Sequence, residues 1–341
     1  NLRAALRWAL SQPDANLALR LSGALHEFWM FRNHAAEGQS WYEMALARRD
    51  GPCQPLYLAK AYSGAGSMAW MQGNPAQAHQ LHTQALHYFE QANDKNGMAS
   101  SLHNLGTQRW HQGDWEDAED LATRALRMAN EAGDDWLKAN ILNGLGVIWG
   151  ARGNDGQALL YYADAVTLAR KTGDPLALMF GLHNLGCVAG RQGDFQRAGE
   201  LLEESSRLAQ KIEYSYLIVG NLAERGLLCI RQGDYAAAVP LCRRAAQLAV
   251  ESMYKELLLR AIEWLAAACG YQHHFERAAR LWGAAAAMRE ETRTGPGRSD
   301  LVIYETAVDY VRAHIGEERL AALLAQGRGM TLEQTLAYAL E

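Results

Sequence analysis

Residues 103–118 read HNLGTQRWHQGDWEDA, and residues 183–198 read HNLGCVAGRQGDFQRA. Both carry HNLG, then Gln-Gly-Asp with an aromatic after it, then Ala. The second half of the phrase recurs elsewhere: QGNPAQA from Gln72, QGDWEDA from Gln112, RGNDGQA from Arg152, QGDFQRA from Gln192, QGDYAAA from Gln232 and QHHFERA from Gln272. Each copy starts 40 residues after the last, and a faded one, RNHAAEG from Arg32, keeps the phase. A fixed period of this length marks a solenoid, whose units bury their apolar faces only against their neighbours.

Each unit parses into two helices. Upstream of the Gly-Asp phrase, apolar or small residues recur at helical spacing: Leu102, Leu105 and Gly106, then Leu142, Leu145, Gly146 and Trp149, then Leu182, Leu185, Gly186 and Ala189. Arg109 interrupts this stripe and is expected to snorkel. Downstream runs a second stripe, Ala118, Leu121, Ala125 and Leu126 in one copy, Ala158, Tyr162, Ala165 and Val166 in another. Gly113, Gly153, Gly193 and Gly233 stand where a helix end calls for positive φ. Asn74, Asp114, Asn154, Asp194 and Asp234 follow as N-caps, with Pro75 at a first helical position and Asn154 with Gln157 resembling a capping box. Gly133-Asp134 and Gly173-Asp174-Pro175 supply the second turn. The unit is therefore helix, tight turn, helix, tight turn.

Composition agrees. The 341 residues include 31 Gly but only 7 Pro, and the net charge of −5 gives no prior for nucleic acid or a membrane surface. Cys53, Cys187, Cys229, Cys242 and Cys269 form no CxxC pair and are read as small hydrophobes in a reducing compartment. No long apolar run or leader opens the chain, so a soluble, cytoplasmic location is expected. A chain that starts at Asn1 is expected to be part of a longer one.

The pattern NLG…QGD…A…AL resembles the tetratricopeptide repeat (TPR) over roughly residues 16 to 290. The matching residues are Leu105-Gly106 with Ala118 and Ala125, and Leu185-Gly186 with Ala198. The resemblance implies an all-α, right-handed α-solenoid of about seven 40-residue helical hairpins with helical caps at both ends. The units are longer than the 34 residues usual in that family, so longer helices are expected. Residues 1–48, NLRAALRWALSQPDANLALRLSGALHEFWMFRNHAAEGQSWYEMALAR, resemble the segment after the nucleotide-binding domain of bacterial signal-transduction ATPases with numerous domains, including NB-ARC-like and large LuxR-type regulators. RLWGAAAAMRE from Arg280, the break TRTGPGRSD from Thr292 and the final helical segment, with a cap signal at Thr331 and Gln334, resemble their tail. Three divisions are expected: an N-terminal cap and atypical first repeat over 1–55, repeats over 56–291, and a linker with a C-terminal cap over 292–341.

Chemistry is sparse. There is no GxxxxGK[ST], GxSxG, HExxH or DxDxDG, so no enzyme, metal or cofactor is expected within these residues. The resemblance places ATP in an upstream domain. Gly64-Ala65-Gly66 falls at the close-packing glycine of the repeat. His79, His82 and His87 share a helix without a Cys or carboxylate cluster and are read as a solvated face. Glu203 and Glu204, adjacent in sequence, are read as solvated charges.

In the resembled family the first helices line a concave groove. Opposite the Leu/Gly stripe, those helices carry Lys60 and Trp70; His103, Asn104 and Trp110; Asn143; His183, Asn184 and Arg191; Glu224 and Arg231; and Arg260. Trp70 and Trp110 lie one unit apart in register, and aromatics and Arg are enriched at binding hot spots. The repeated Asn104 and Asn184 have the alternative role of bracing one helix against the next. The family's carboxylate clamp is not reproduced. The expectation is a sensor or interaction domain of a signalling ATPase, a transcriptional regulator, taking a protein or peptide effector or a small-molecule inducer in the groove and working on its own nucleotide-binding domain. The alternative is a free-standing TPR scaffold or peptide-pheromone receptor.

Overall fold

The computed structural model describes residues 1–31, 34–48, 52–292 and 301–341. The fold is all-α, with successive helix pairs packed as a TPR-like solenoid. It divides into two compact units, Asn1–Ile148 and Trp149–Glu341. The faded phrase at Arg32 begins outside the described residues, as does most of the Thr292–Asp300 break.

The first unit opens with α1 (Leu2–Ser11), α2 (Ala15–Ala24), α3 (His26–Phe31) and α4 (Ala35–Ala47). The regular pairs follow: α5 (Pro55–Met71) with α6 (Pro75–Ala92), and α7 (Lys95–His111) with α8 (Trp115–Ala132). Helix α9 (Asp135–Ala151) reaches the boundary. The second unit holds α10 (Asp155–Thr172), α11 (Pro175–Arg191), α12 (Phe195–Lys211), α13 (Ser215–Arg231), α14 (Tyr235–Glu251), α15 (Lys255–Tyr271) and α16 (Phe275–Thr292). Three shorter helices close it: α17 (Leu301–Ile315), α18 (Glu317–Arg328) and α19 (Leu332–Leu340). First helices thus start at residues 55, 95, 135, 175, 215 and 255, keeping the period of the sequence.

The turns form as their residues dictate. Gly113, Gly153, Gly193 and Gly233 have φ of +81°, +80°, +87° and +78°. Asn74, Asp114, Asn154, Asp194 and Asp234 each accept a bond from the backbone N–H three residues on. A complete reciprocal capping box stands at Thr331 and Gln334. Four non-glycine residues also take the left-handed conformation: Asn93 at +52°, Glu213 at +57°, Met253 at +59° and His273 at +65°. They occupy turn positions where other units carry Gly, so the repeat geometry overrides the local preference there.

Pairing within a unit depends on how closely the two helices approach. A Cβ built on Gly106 would lie 3.2 Å from the Ala118 carbonyl oxygen of α8. One on Gly186 would lie 3.0 Å from Leu202 Cγ and 3.3 Å from the Ala198 oxygen of α12. The partner surface is built of fully buried alanines: Ala118 and Ala125 on α8, Ala198 and Ala209 on α12. Gly66 makes the same approach, against the ring of His82.

The two ends use larger side chains. Trp29, Trp41 and Tyr42 are buried with Leu6, Leu19 and Met68 in a core shared by α1, α2, α3, α4 and α5. At the other end Trp264 and Trp282 lie in a core that draws in Ala307, Val311, Leu320 and Leu323 of the closing helices. Gly283 of α16 and Gly327 of α18 face backbone atoms of each other's helix, at Leu324 and Arg280, so these helices touch main chain to main chain.

Gly186→Leu tests the close approach. It forces a branched side chain against Leu202 and Ala198, and is expected to destabilise by about 3 kcal/mol or to split the urea unfolding transition. Far-UV circular dichroism across a urea titration reads this. A transition unchanged in midpoint and slope would remove the close contact from the account of the fold.

Candidate functional site

The first-helix residues singled out by spacing divide according to what holds them. In the first unit the aromatic set is partly open. The rings of Trp70 and His111 lie 5.0 Å apart, and those of His111 and Trp110 lie 4.4 Å apart edge to face. His111 therefore joins two tryptophans that are one repeat apart. Both indoles are half-buried and His111 is exposed. Trp110 turns its Nε1 edge inward, where it meets no acceptor. Met71, next to Trp70, is also exposed. Asn104 and Asn143 are half-buried. Lys60 is exposed, and its side chain lines a cleft between α1, α2 and α5 rather than joining the aromatic row.

His103 is committed to packing. Its ring lies where a Cβ on Gly144 would be 3.1 Å from Cε1, and burial lowers its pKa to about 4. His82 is buried rather than solvated, which corrects the reading of the His79–His82–His87 row. Its ring fills the space beside Gly66, and burial lowers its pKa to about 4. The cause is the small residue opposite, which leaves room for an imidazole in the core.

In the second unit the polar row is largely turned inward. His183 Nδ1 lies 2.8 Å from Asn221 Oδ1, so that nitrogen carries the proton and donates. Asn221 Nδ2 donates to Ser205 Oγ at 2.9 Å, and Ser205 donates to the Met179 carbonyl at 2.8 Å. Cys187 Sγ sits 3.7 Å from His183 Nε2. This chain ties α11, α12 and α13 together, and desolvation lowers the His183 pKa to about 4. His183 and Asn221 make a brace between first helices. The equivalent of Asn221 one step from His103 is Ile141, fully buried, so the first copy of HNLG has no such bond to make.

Several charges in the second unit are matched by partners. Arg191 grips Asp155 with Nε at 3.0 Å and Nη2 at 2.6 Å. Glu224, buried, pairs with Arg260. Two residues selected separately for one face therefore bind each other across α13 and α15. Glu263, buried, is held by Arg289 at 2.6 Å. Arg231 reaches toward Gly190, where an added Cβ would be 3.5 Å from its Nη1. Asn184 is half-buried. Glu203 and Glu204 carry ion pairs to Arg225 and Arg170, and Arg109 extends toward Asp117 across the turn. Asp155, Asn221 and Ser205 escaped the sequence reading. A signal existed for one pairing: Glu224 and Arg260 are 36 residues apart, one unit less one helical turn.

Among the described residues no group of three or more His, Cys, Asp or Glu converges as a metal site. No described helix is long and apolar enough to cross a membrane.

The paired helices and their close Gly–Ala contact define a TPR-type repeat array. The sequence model of the tetratricopeptide repeat matches residues 97–171, from early α7 to the end of α10. No curated relative matches the chain in sequence. Among solved structures, a Rap protein complexed with competence and sporulation factor is similar at a TM-score of 0.63 and 14% identity, over 95% of this chain and 99% of that one. A signal transduction ATPase with numerous domains (STAND) from Pyrococcus horikoshii, which has a tetratricopeptide repeat sensor, is similar at 0.62 and 15%; the match covers 92% of this chain but 46% of that one. The Rap conjugation gene regulator of plasmid pLS20, in complex with the Phr* peptide, is similar at 0.57 and 15%, over 91% of this chain and 77% of that one. At such identities the likeness is one of fold.

Two expectations follow from the inward-facing groups. Arg260→Ala leaves Glu224 buried without its partner and should cost about 2 kcal/mol, whereas the double change Glu224→Gln with Arg260→Met should recover much of it. Urea titrations of the three variants measure this. An Arg260→Ala protein as stable as the parent would free Arg260 for a ligand. The second expectation concerns pH. His82, His103 and His183 have folded pKa values near 4 against about 6.5 unfolded. The unfolded chain therefore binds more protons between those values, and stability falls as pH drops from about 6.5 to 4, by up to about 3 kcal/mol per ring. Glu37, lowered to about 2 by its bond to Arg3, acts only at more acid pH, below about 4.5. His183→Gln should flatten the urea midpoint between pH 6.5 and 4; an unchanged slope would dissociate His183 from that loss.

Proposed function

We propose that this chain is a binding module, acting by recognition rather than catalysis, whose effector is a protein or peptide segment seated on the first-helix face of the first unit. The observation that carries this is the Trp70–His111–Trp110 row, half-buried aromatic surface in register across two repeats. Tryptophan is the residue type most enriched at hot spots, and rings anchored on one side offer contact area at little cost in side-chain entropy. The second unit supports the same choice by contrast, because His183, Arg191, Glu224 and Arg260 are already held by partners within the protein.

The wider setting follows the fold likeness. The sensor reading makes this chain the effector-binding part of a larger bacterial signalling ATPase and transcriptional regulator, whose own upstream nucleotide-binding domain responds to the bound state. The 46% coverage of the STAND protein leaves room for such a partner domain. To carry a switch from 1:99 to 99:1, the effector would have to prefer one state by about 5.5 kcal/mol. A second reading, a free-standing peptide receptor, is favoured by the match over 99% of the Rap protein complexed with its factor. An in-frame nucleotide-binding domain upstream of residue 1 in the coding region separates the two.

The module itself is tested with peptides selected from a displayed random library on the parent chain. Trp70→Ala and Trp110→Ala should each weaken calorimetric binding of those peptides by about 10-fold or more, the scale of a hot-spot loss above 1 kcal/mol, while melting shifts by only a few degrees. Peptides that bind both variants as tightly as the parent would overturn the assignment, as would a Trp110→Ala loss of several kcal/mol in stability.

A further inference from the structure

A second site is suggested by the cleft between α1, α2 and α5, about 610 Å³ in volume. That size lies in the range of small-molecule pockets, roughly 300–1,000 Å³. Its walls are mostly apolar, from Trp8, Leu17, Leu21 and Tyr57, and its charged lining consists of Arg20 and Lys60. No carboxylate among the described residues lines it. Neither cation makes an ion pair with a carboxylate among the described residues. Arg20 is held in place over the Tyr57 ring, with its guanidinium carbon 5.4 Å from the centroid. Trp8 lies at 59% exposure, an indole wall open to whatever enters. The frame is tied from below: Asn16 of α2 donates to the Pro52 carbonyl at 3.3 Å and accepts from the Gln54 N–H at 2.9 Å, fixing α2 against the chain that enters α5.

We propose that this cleft binds a small amphiphilic carboxylate, an apolar chain of medium length with one anionic head. The chain would lie against Trp8, Leu17 and Leu21, and the head would meet Arg20 and Lys60. Two exposed cations beside an apolar wall favour a single anion over a cation or a neutral solute, since only an anion gains charge-assisted contacts there. The apolar lining disfavours a polyanion such as a nucleotide, which would bring more charge than two cations match. The site is separate from the aromatic row and does not rest on the function proposed for it.

Decanoate and decanol are the probes, titrated calorimetrically into the parent chain. Decanoate is expected to bind at least about 10-fold more tightly than decanol, the effect of roughly 1.4 kcal/mol from charge-assisted contacts. Arg20→Gln and Lys60→Gln should each remove most of that difference without altering the far-UV spectrum or melting temperature. Quenching of fluorescence by 2-bromodecanoate should fall in Trp8→Phe, which places the chain beside that indole. Trp110→Ala should leave decanoate binding unchanged. Equal affinities for decanoate and decanol, no binding of decanoate at millimolar concentration, or undiminished preference in both charge variants would overturn the proposal.

Discussion

The contact on which the rest depends is the approach of a first-helix glycine to the alanine surface of its partner helix. At Gly186 a Cβ would crowd Leu202 at 3.0 Å and the Ala198 carbonyl at 3.3 Å, and at Gly106 it would crowd the Ala118 carbonyl at 3.2 Å. Helices this close can be followed by a turn of very few residues, and such turns need a left-handed residue to reverse the chain. The turn glycines and the packing glycines are therefore two parts of one requirement. Once both are met, the next pair must present its apolar stripe in the same orientation, and the 40-residue period follows.

That geometry is strong enough to impose itself where the local sequence does not favour it. Glu213, Met253 and His273 hold positive φ at turn positions that carry Gly in other units. A non-glycine residue there costs about 1 kcal/mol, which neighbouring packing can offset because each turn is flanked by two buried helices. Met253 is 86% exposed, so its own side chain contributes little of the compensation. The strain is carried by the array.

Much of the repeat array could be read from sequence because it repeats. Helix starts, the N-cap residues from Asn74 to Asp234 and the Leu-Gly stripes are local consequences of period and turn chemistry, and they stand where the spacing puts them. The side chains of the candidate face were less legible, for a physical reason. Spacing gives the direction in which a residue leaves its helix but not what meets it from the next unit. His103 and His183 occupy the same place in two copies of HNLG, yet one faces Gly144 and the other a hydrogen-bonded Asn221. Glu224 and Arg260 look like two members of a polar surface until the offset between units brings them together. His82 looks solvated until the missing side chain of Gly66 is taken into account.

This sorting bears on where recognition can reside. A polar side chain already paired inside the protein gives little to a ligand, because binding must first break the existing bond and then compensate the group left behind. By that criterion Arg191, Glu224, Arg260 and His183 belong mainly to the structure. The aromatic row of the first unit differs. Trp70, His111 and Trp110 touch through ring edges and faces that remain partly open, and a ligand added there gains contact with aromatic surface. In HNLGTQRWHQGDWEDA the residues that leave surface to spare are therefore the tryptophan and histidine just before the turn, while the histidine and leucine-glycine at its start are occupied in holding the repeat together.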